Sequence, residues 1–148
     1  MQLVIKITYM NFIYKLLNCF KYSHHGNHVF ADFIWDIKSD IIDDEILSQT
    51  IFQIMEDAIK KTNMTIVHKK LCILGKDSPP GFTSILLLDE SHCSAHCYSD
   101  RGWLALDCFT CGNTDPFPIM EYIIIEIKKK YPTLQCTYLQ KHKRFHYR

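Results

Sequence analysis

The chain lacks any surplus of charge of one sign. Its 17 Lys+Arg stand against 16 Asp+Glu, a formal net charge of +1 over 148 residues. That balance removes any global electrostatic argument for nucleic acid or a membrane surface as a partner. A long hydrophobic run is also lacking. The opening MQLVIKITYMNFIYKLLNCF is apolar but interrupted by Lys6 and Lys15, short of the roughly 18 unbroken apolar residues of a membrane span. No small-residue cleavage site follows it, so it does not read as a secretory signal. Internal repeats and low-complexity tracts are missing as well. Residues 1–25 are read as an N-terminal extension, a strand or an amphipathic helix, and 26–148 as one domain.

Cysteine, by contrast, is plentiful at seven. The number is odd and no secretory signal accompanies it, which points to a reducing, cytoplasmic compartment rather than a disulfide framework. The other proportions, 47% hydrophobic and 22% charged, are those of a globular domain large enough to bury its own core.

Periodicity places the elements. His28–Asp36 (HVFADFIWD) reads as a strand rich in aromatic and β-branched residues. Asp43, Asp44 and Glu45 open a helix to about Lys61, with Leu47, Ile51, Ile54, Met55 and Ala58 on one face. Met64–Leu74 is a second strand, and KDSPPG (76–81) a turn or loop. The apolar run Phe82–Leu88 continues as a strand into the stretch beginning at Glu90, and Trp103–Phe109 is the next strand after a turn at SDRG. Asp115 and Pro116 announce a helix over 117–130, with Ile119, Met120, Ile123, Ile124 and Ile127 inward. Leu134–Leu139 is the last strand. The order β-α-β-β-β-α-β predicts an α+β fold, a two-layer sandwich of mainly antiparallel sheet with two helices on one face.

The stretch ESHCSAHCYSDRGWLALDCFTCG (90–112) concentrates four cysteines and two histidines. Structural zinc wants paired ligands on tight turns, whereas Cys93 and Cys97 lie within a strand and share a face. A redox C-x-x-C wants a helix N-terminus directly after it, but Gly112–Pro116 separates Cys108 and Cys111 from the helix. Small buried hydrophobes fit Cys72, Cys93, Cys97, Cys108 and Cys136 better than either chemistry.

Read in order, Glu90-Ser91-His92, Ala95-His96, Gly102 and Asp107-Cys108-Phe109-Thr110-Cys111-Gly112 resemble the core motif of the bacterial-type S-adenosylmethionine decarboxylases. GNHVFADF (26–33) and KDSPPGFTSILLLD (76–89) are similar to the family's preceding segments, so the likeness runs over about residues 26–140. It implies a proenzyme cut between Glu90 and Ser91 into chains 1–90 and 91–148. Ser91 would attack the Glu90 carbonyl, and β-elimination of the resulting ester would leave a covalent pyruvoyl group as the cofactor. The resemblance assigns His96 to processing as the base near the Ser91 α-proton, Thr83 as a supporting hydroxyl, and Cys111 as the proton donor in decarboxylation, with no metal. It also implies a homodimer of cleaved protomers with the site at the subunit interface, acting on a small-molecule substrate for spermidine synthesis. Strict strand alternation puts Ser91 and His96 on opposite faces, five being odd, so a bend, a bulge or a strained peptide at the cut is expected.

Three departures concern the substrate. The family's stacking Phe in the loop is Asp77 here, its second aromatic is Tyr98, and its ribose-binding Glu is Asp100. Asp77 facing a distal guanidinium or amine would suit the alternative of an arginine or ornithine decarboxylase. A homologue that never cleaves is the other alternative. The basic tail KHKRFHYR (141–148) reads as solvated charge.

Overall fold

The computed structural model describes residues 26–36, 43–111 and 114–145. The segment 1–25, read above as an extension, lies outside the described residues, as does Gly112. Six strands form one antiparallel sheet: β1 (Asn27–Ile34), β2 (Ile66–Leu74), β3 (Gly81–Leu88), β4 (Ser91–Tyr98), β5 (Trp103–Thr110) and β6 (Gln135–Lys143). Their order is β2-β3-β4-β5-β1-β6. Two helices, α1 (Asp44–Lys60) and α2 (Phe117–Lys130), pack together on one face. The architecture is the expected two-layer α+β sandwich.

Local chemistry accounts for the helices. The Asp43 carboxylate accepts the backbone N–H groups of Glu45 and Ile46, both at 2.9 Å, satisfying two of the orphan donors of the first turn. Pro116 caps α2 in helical φ/ψ, and Lys128, Lys129 and Lys130 close it where the dipole favours cations. From α1, Leu47, Ile51 and Met55 are fully buried, and from α2 Met120, Ile123 and Ile127. They meet Val29, Ala31, Phe82, Leu86, Leu104 and Leu106 from the sheet. Each large side chain buried this way contributes about 1.5–3 kcal/mol. Ile124 sits at the margin of this core, only partly buried.

The sequence pattern predicts five strands, and the described residues form six. The run from Phe82 through Tyr98 does not stay extended: it folds back at Asp89-Glu90 so that Leu88 pairs with Ser91 and Phe82 with Cys97. The dipeptide carries none of the Gly or Asn signals of a tight hairpin. A tertiary clamp sets it instead, because Asp89 donates its N–H to the Thr65 carbonyl at 3.1 Å and its carboxylate accepts the Thr65 N–H at 3.0 Å. At the other end of β3, Gly81 has φ +141, and a Cβ there would fall 2.0 Å from the Cys97 carbonyl oxygen. Only glycine lets β3 approach β4 at that point.

Cys93, Cys97 and Cys108 face the helices and are fully buried. Cys72, paired with Thr83 on the face away from the helices, and Cys136, on the edge strand β6, are only half-buried. Among the described residues, the opposite face carries no helix. On it, Ile34, Ile85, Leu87, Trp103 and Tyr138 are between 41% and 49% exposed, an apolar surface in need of a cover. No described helix is long and apolar enough to cross a membrane.

Candidate functional site

The hairpin turn at Asp89-Glu90 puts the Glu90–Ser91 peptide at the tip where β3 becomes β4. Ser91 has φ +144, and Phe145 is the only other non-glycine residue with positive φ among those described. Holding a serine there costs about 1–3 kcal/mol. This is the expected strained peptide. The carbonyl oxygen of Glu90 accepts two hydrogen bonds from one residue, the Cys111 backbone N–H at 2.8 Å and the Cys111 thiol at 3.0 Å. Both donors polarise the carbonyl and suit a developing oxyanion. Glu90 Oε2 is buried without a hydrogen-bond partner among the described residues, a further destabilising feature of the intact turn.

Ser91 lies opposite Thr110 in β5, so the next residue, Cys111, reaches the turn directly. The Ser91 hydroxyl sits 3.2 Å from Nδ1 of His92. His92 packs on the Phe109 ring at 5.8 Å, and the other side of Phe109 meets His28 at 6.0 Å and the Arg144 guanidinium at 5.0 Å. The His28 imidazole in turn contacts Asp107 at 2.9 Å. Burial holds His92 below the usual imidazole range. His28 and Arg144 add to that shift, and Asp107 opposes it.

The other expected residues gather at the far end of the same hairpin. His96 is opposite Thr83 on β3 and Ala105 on β5. It lies five positions along the strand from Ser91, about 17 Å at the usual rise. Within one protomer, therefore, His96 does not reach the Ser91 α-proton. The Thr83 hydroxyl donates to the Ala95 carbonyl at 3.5 Å, well away from the Glu90–Ser91 peptide. Tyr98 lies edge-on to His96 at 4.7 Å. A cavity of about 370 Å³ opens there, lined by His96, Tyr98, Asp32, Ile34, Trp103 and Thr137 among others. Its size suits a small organic ligand. Asp100 and Asp77 are both exposed. They lie on neighbouring loops, joined where the Ser99 N–H donates to the Pro80 carbonyl at 3.1 Å. Between them Arg101 covers the Tyr98 and Trp103 rings, its guanidinium 5.5 Å and 5.3 Å from their centres.

The expected residues thus fall into two groups, Glu90, Ser91 and Cys111 at the turn, and Thr83, His96, Tyr98, Asp100 and Asp77 at the opposite end. Sequence reasoning passed over His92, Asp32 and Trp103. Alternation along β4 carried the signal for the first, since it puts His92, Ser94, His96 and Tyr98 on the uncovered face. No three His, Cys, Asp or Glu side chains come together to hold a metal ion among the described residues.

Comparison with known proteins bears directly on this arrangement. The family described as S-adenosylmethionine decarboxylase matches residues 27–138. The S-adenosylmethionine decarboxylase proenzyme of Brevibacillus brevis is 37% identical over 110 residues, covering 73% of this chain and 77% of that protein. The proenzyme of Symbiobacterium thermophilum is 32% identical over 103 residues, covering 69% of this chain and 73% of its own. Among solved structures, the adenosylmethionine decarboxylase of Aquifex aeolicus superposes with a TM-score of 0.57 at 27% identity, over 82% of this chain and 89% of that one. The chain belongs to the S-adenosylmethionine decarboxylase family.

Proposed function

We propose that the chain is the proenzyme of a pyruvoyl-dependent S-adenosylmethionine decarboxylase that cuts itself between Glu90 and Ser91. The observation that carries this reading is the pairing of a strained Ser91 with a Glu90 carbonyl held by both Cys111 donors. The residues at the turn fit formation of a pyruvoyl group from Ser91: a hydroxyl on the residue that follows the carbonyl, strain in the ground state, and donors for the oxyanion. Attack of Oγ on the Glu90 carbonyl relieves the positive φ and replaces the amide with an ester. Loss of the ester by elimination then needs a base for the Ser91 α-proton.

The distance along β4 excludes a protomer's own His96 from that task, so the base is His96 of the partner subunit. Two copies packed through their uncovered sheet faces, with β4 strands running oppositely, would bring the Ser91 end of each against the Thr83–His96 end of the other. The exposed Ile34, Ile85, Leu87, Trp103 and Tyr138 supply the apolar surface for such a homodimer. The site is incomplete in one copy and complete in two.

Once formed, the pyruvoyl carbonyl supplies the electron sink for loss of carbon dioxide from the bound amino acid. The Cys111 thiol, hydrogen-bonded to the Glu90 carbonyl beside Ser91, supplies a proton to the product carbon. Tyr98, with the cavity beside it, offers an aromatic surface for the adenine, and Asp100 a carboxylate for the ribose hydroxyls. Asp77 stands in an exposed loop, and nothing around it favours a basic amino acid as substrate.

A denaturing mass measurement on the purified protein tests the reading. Two fragments, 1–90 and 91–148, are expected, the second with a blocked terminus, together with release of carbon dioxide from S-adenosylmethionine. A single intact chain after prolonged incubation would refute it.

A further inference from the structure

We propose that His92 is the base that takes the Ser91 hydroxyl proton as that oxygen attacks the Glu90 carbonyl, a role that rests on the self-processing reading above. Self-processing moves two different protons. The first leaves the Ser91 hydroxyl during attack, and the second leaves the Ser91 α-carbon during elimination. The resemblance gives His96 the second, and the imidazole in contact with the Ser91 hydroxyl is that of His92.

Neighbouring residues of a regular strand point to opposite faces. The contact of Ser91 Oγ with His92 Nδ1 at 3.2 Å exists because the positive φ at Ser91 breaks that alternation. The strain therefore does two things at once: it raises the energy of the intact peptide and turns the hydroxyl onto an imidazole nitrogen. With its proton on Nε2, the His92 ring accepts the Ser91 hydroxyl at Nδ1. On attack, the Oγ–C bond forms and the hydroxyl proton passes to Nδ1. When the C–N bond breaks, the same proton is returned to the departing Ser91 nitrogen. The ring ends as it began, and no outside reactant is consumed.

The surroundings keep the ring neutral and ready. Phe109 of β5 packs against the part-buried ring, and the charges that reach it are His28 of β1, Asp107 of β5 and Arg144 beyond β6. Burial, His28 and Arg144 disfavour the imidazolium, and Asp107 favours it. The balance leaves a base that is unprotonated at neutral pH.

The test follows the cutting of freshly refolded chains over time. His92→Gln keeps a polar group of similar reach but no basicity, and is expected to cut about 100-fold more slowly or less. Added hydroxylamine should not speed it, because no ester accumulates. His96→Ala, blocked one step later, should accumulate ester that hydroxylamine splits at residue 90. His92→Ala should regain part of its rate with added imidazole. The wild-type chain offers a check free of folding effects: its rate should be flat around neutrality and fall only at a pH below the ordinary imidazole range, because His92 is held below it. Cutting of His92→Gln at the wild-type rate, ester accumulation in that variant, or a wild-type rate climbing tenfold per pH unit through neutrality would each overturn the assignment. A wild-type chain that never cuts overturns the self-processing reading and this proposal with it. Slow cutting of His92→Gln beside normal cutting of the wild type supports both.

Discussion

Cys111 donates both its backbone N–H and its thiol to the carbonyl oxygen of Glu90, at 2.8 Å and 3.0 Å. The two donors are separable by mutation, because only the thiol belongs to the side chain. Cys111→Ala keeps the backbone donor, so it is expected to self-cleave, more slowly than wild type. If the Cys111 thiol is the proton donor, turnover of S-adenosylmethionine should fall by about 100-fold or more. Mass spectrometry of the chain and release of labelled carbon dioxide read the two effects apart. Equal loss of cutting and turnover would mean that the thiol serves the oxyanion alone.

The separation of Ser91 from His96 along β4 leads to a complementation experiment. If the site is shared between two subunits, a His96→Ala chain keeps a normal Ser91 but offers its partner no base. A Ser91→Ala chain cannot be cut, yet carries an intact His96. Co-expression should restore cutting of the His96→Ala chain in proportion to the mixed dimer formed, while either variant alone stays uncut. Differently tagged copies and a denaturing gel suffice. Persistent failure of the mixed dimer to cut would show that the two halves are not shared between subunits.

Much of the fold was legible in the chain, for reasons that can be named. Helix α2 begins at Phe117 and ends at Lys130 as read, because Pro116 fixes its start and Ile119, Ile123 and Ile127 repeat at the helical period. The last strand was read as ending at Leu139, whereas β6 continues to Lys143. Its lysines and His142 look like a solvated tail but serve an edge strand, where charge is favoured. The turn at Asp89-Glu90 was hidden because it is fixed by Thr65, 24 residues away in sequence. At the site, the motif pointed to Ser91 and Cys111, and the odd spacing from Ser91 to His96 warned that a regular strand would not join them. The residue that does touch Ser91 is its immediate neighbour, His92, reached through a backbone angle that no spacing reveals.

The buried thiols set an alkaline limit on stability. Burial pushes Cys97 up to about 12, with Asp44 and Asp100 adding to it. Cys93 is raised well above the ordinary thiol range, first by its hydrogen bond to Cys108. In the unfolded chain these thiols ionise near pH 8.5, so above that value the unfolded state binds fewer protons than the native one. Stability is then fully present below about pH 8.5 and is lost as pH rises toward the folded values. Melting temperature should fall from about pH 9 upward, and Cys97→Ala should fall less steeply from its own lower starting point. Alkylation of the native protein at pH 8 should spare Cys93, Cys97 and Cys108. Peptide mapping that found Cys97 labelled before unfolding would contradict this.

Substrate recognition is open to the same separation of steps. Asp100 is exposed on the turn after β4, and the proposed cutting chemistry uses Ser91, His92, His96 and Cys111 rather than its carboxylate. Asp100→Asn should therefore leave the rate of self-cleavage unchanged. If its carboxylate holds the ribose hydroxyls, the variant loses charge-assisted hydrogen bonds of about 1.5–3 kcal/mol, raising KM for S-adenosylmethionine by roughly tenfold or more. Asp100→Glu, one methylene longer, should recover most of that loss because it keeps the charge. Arg101, laid over Tyr98 and Trp103, holds the adjoining rings in place, so Arg101→Ala should also raise KM with little change in cutting. Unchanged KM in Asp100→Asn, beside normal processing, would remove Asp100 from the substrate site.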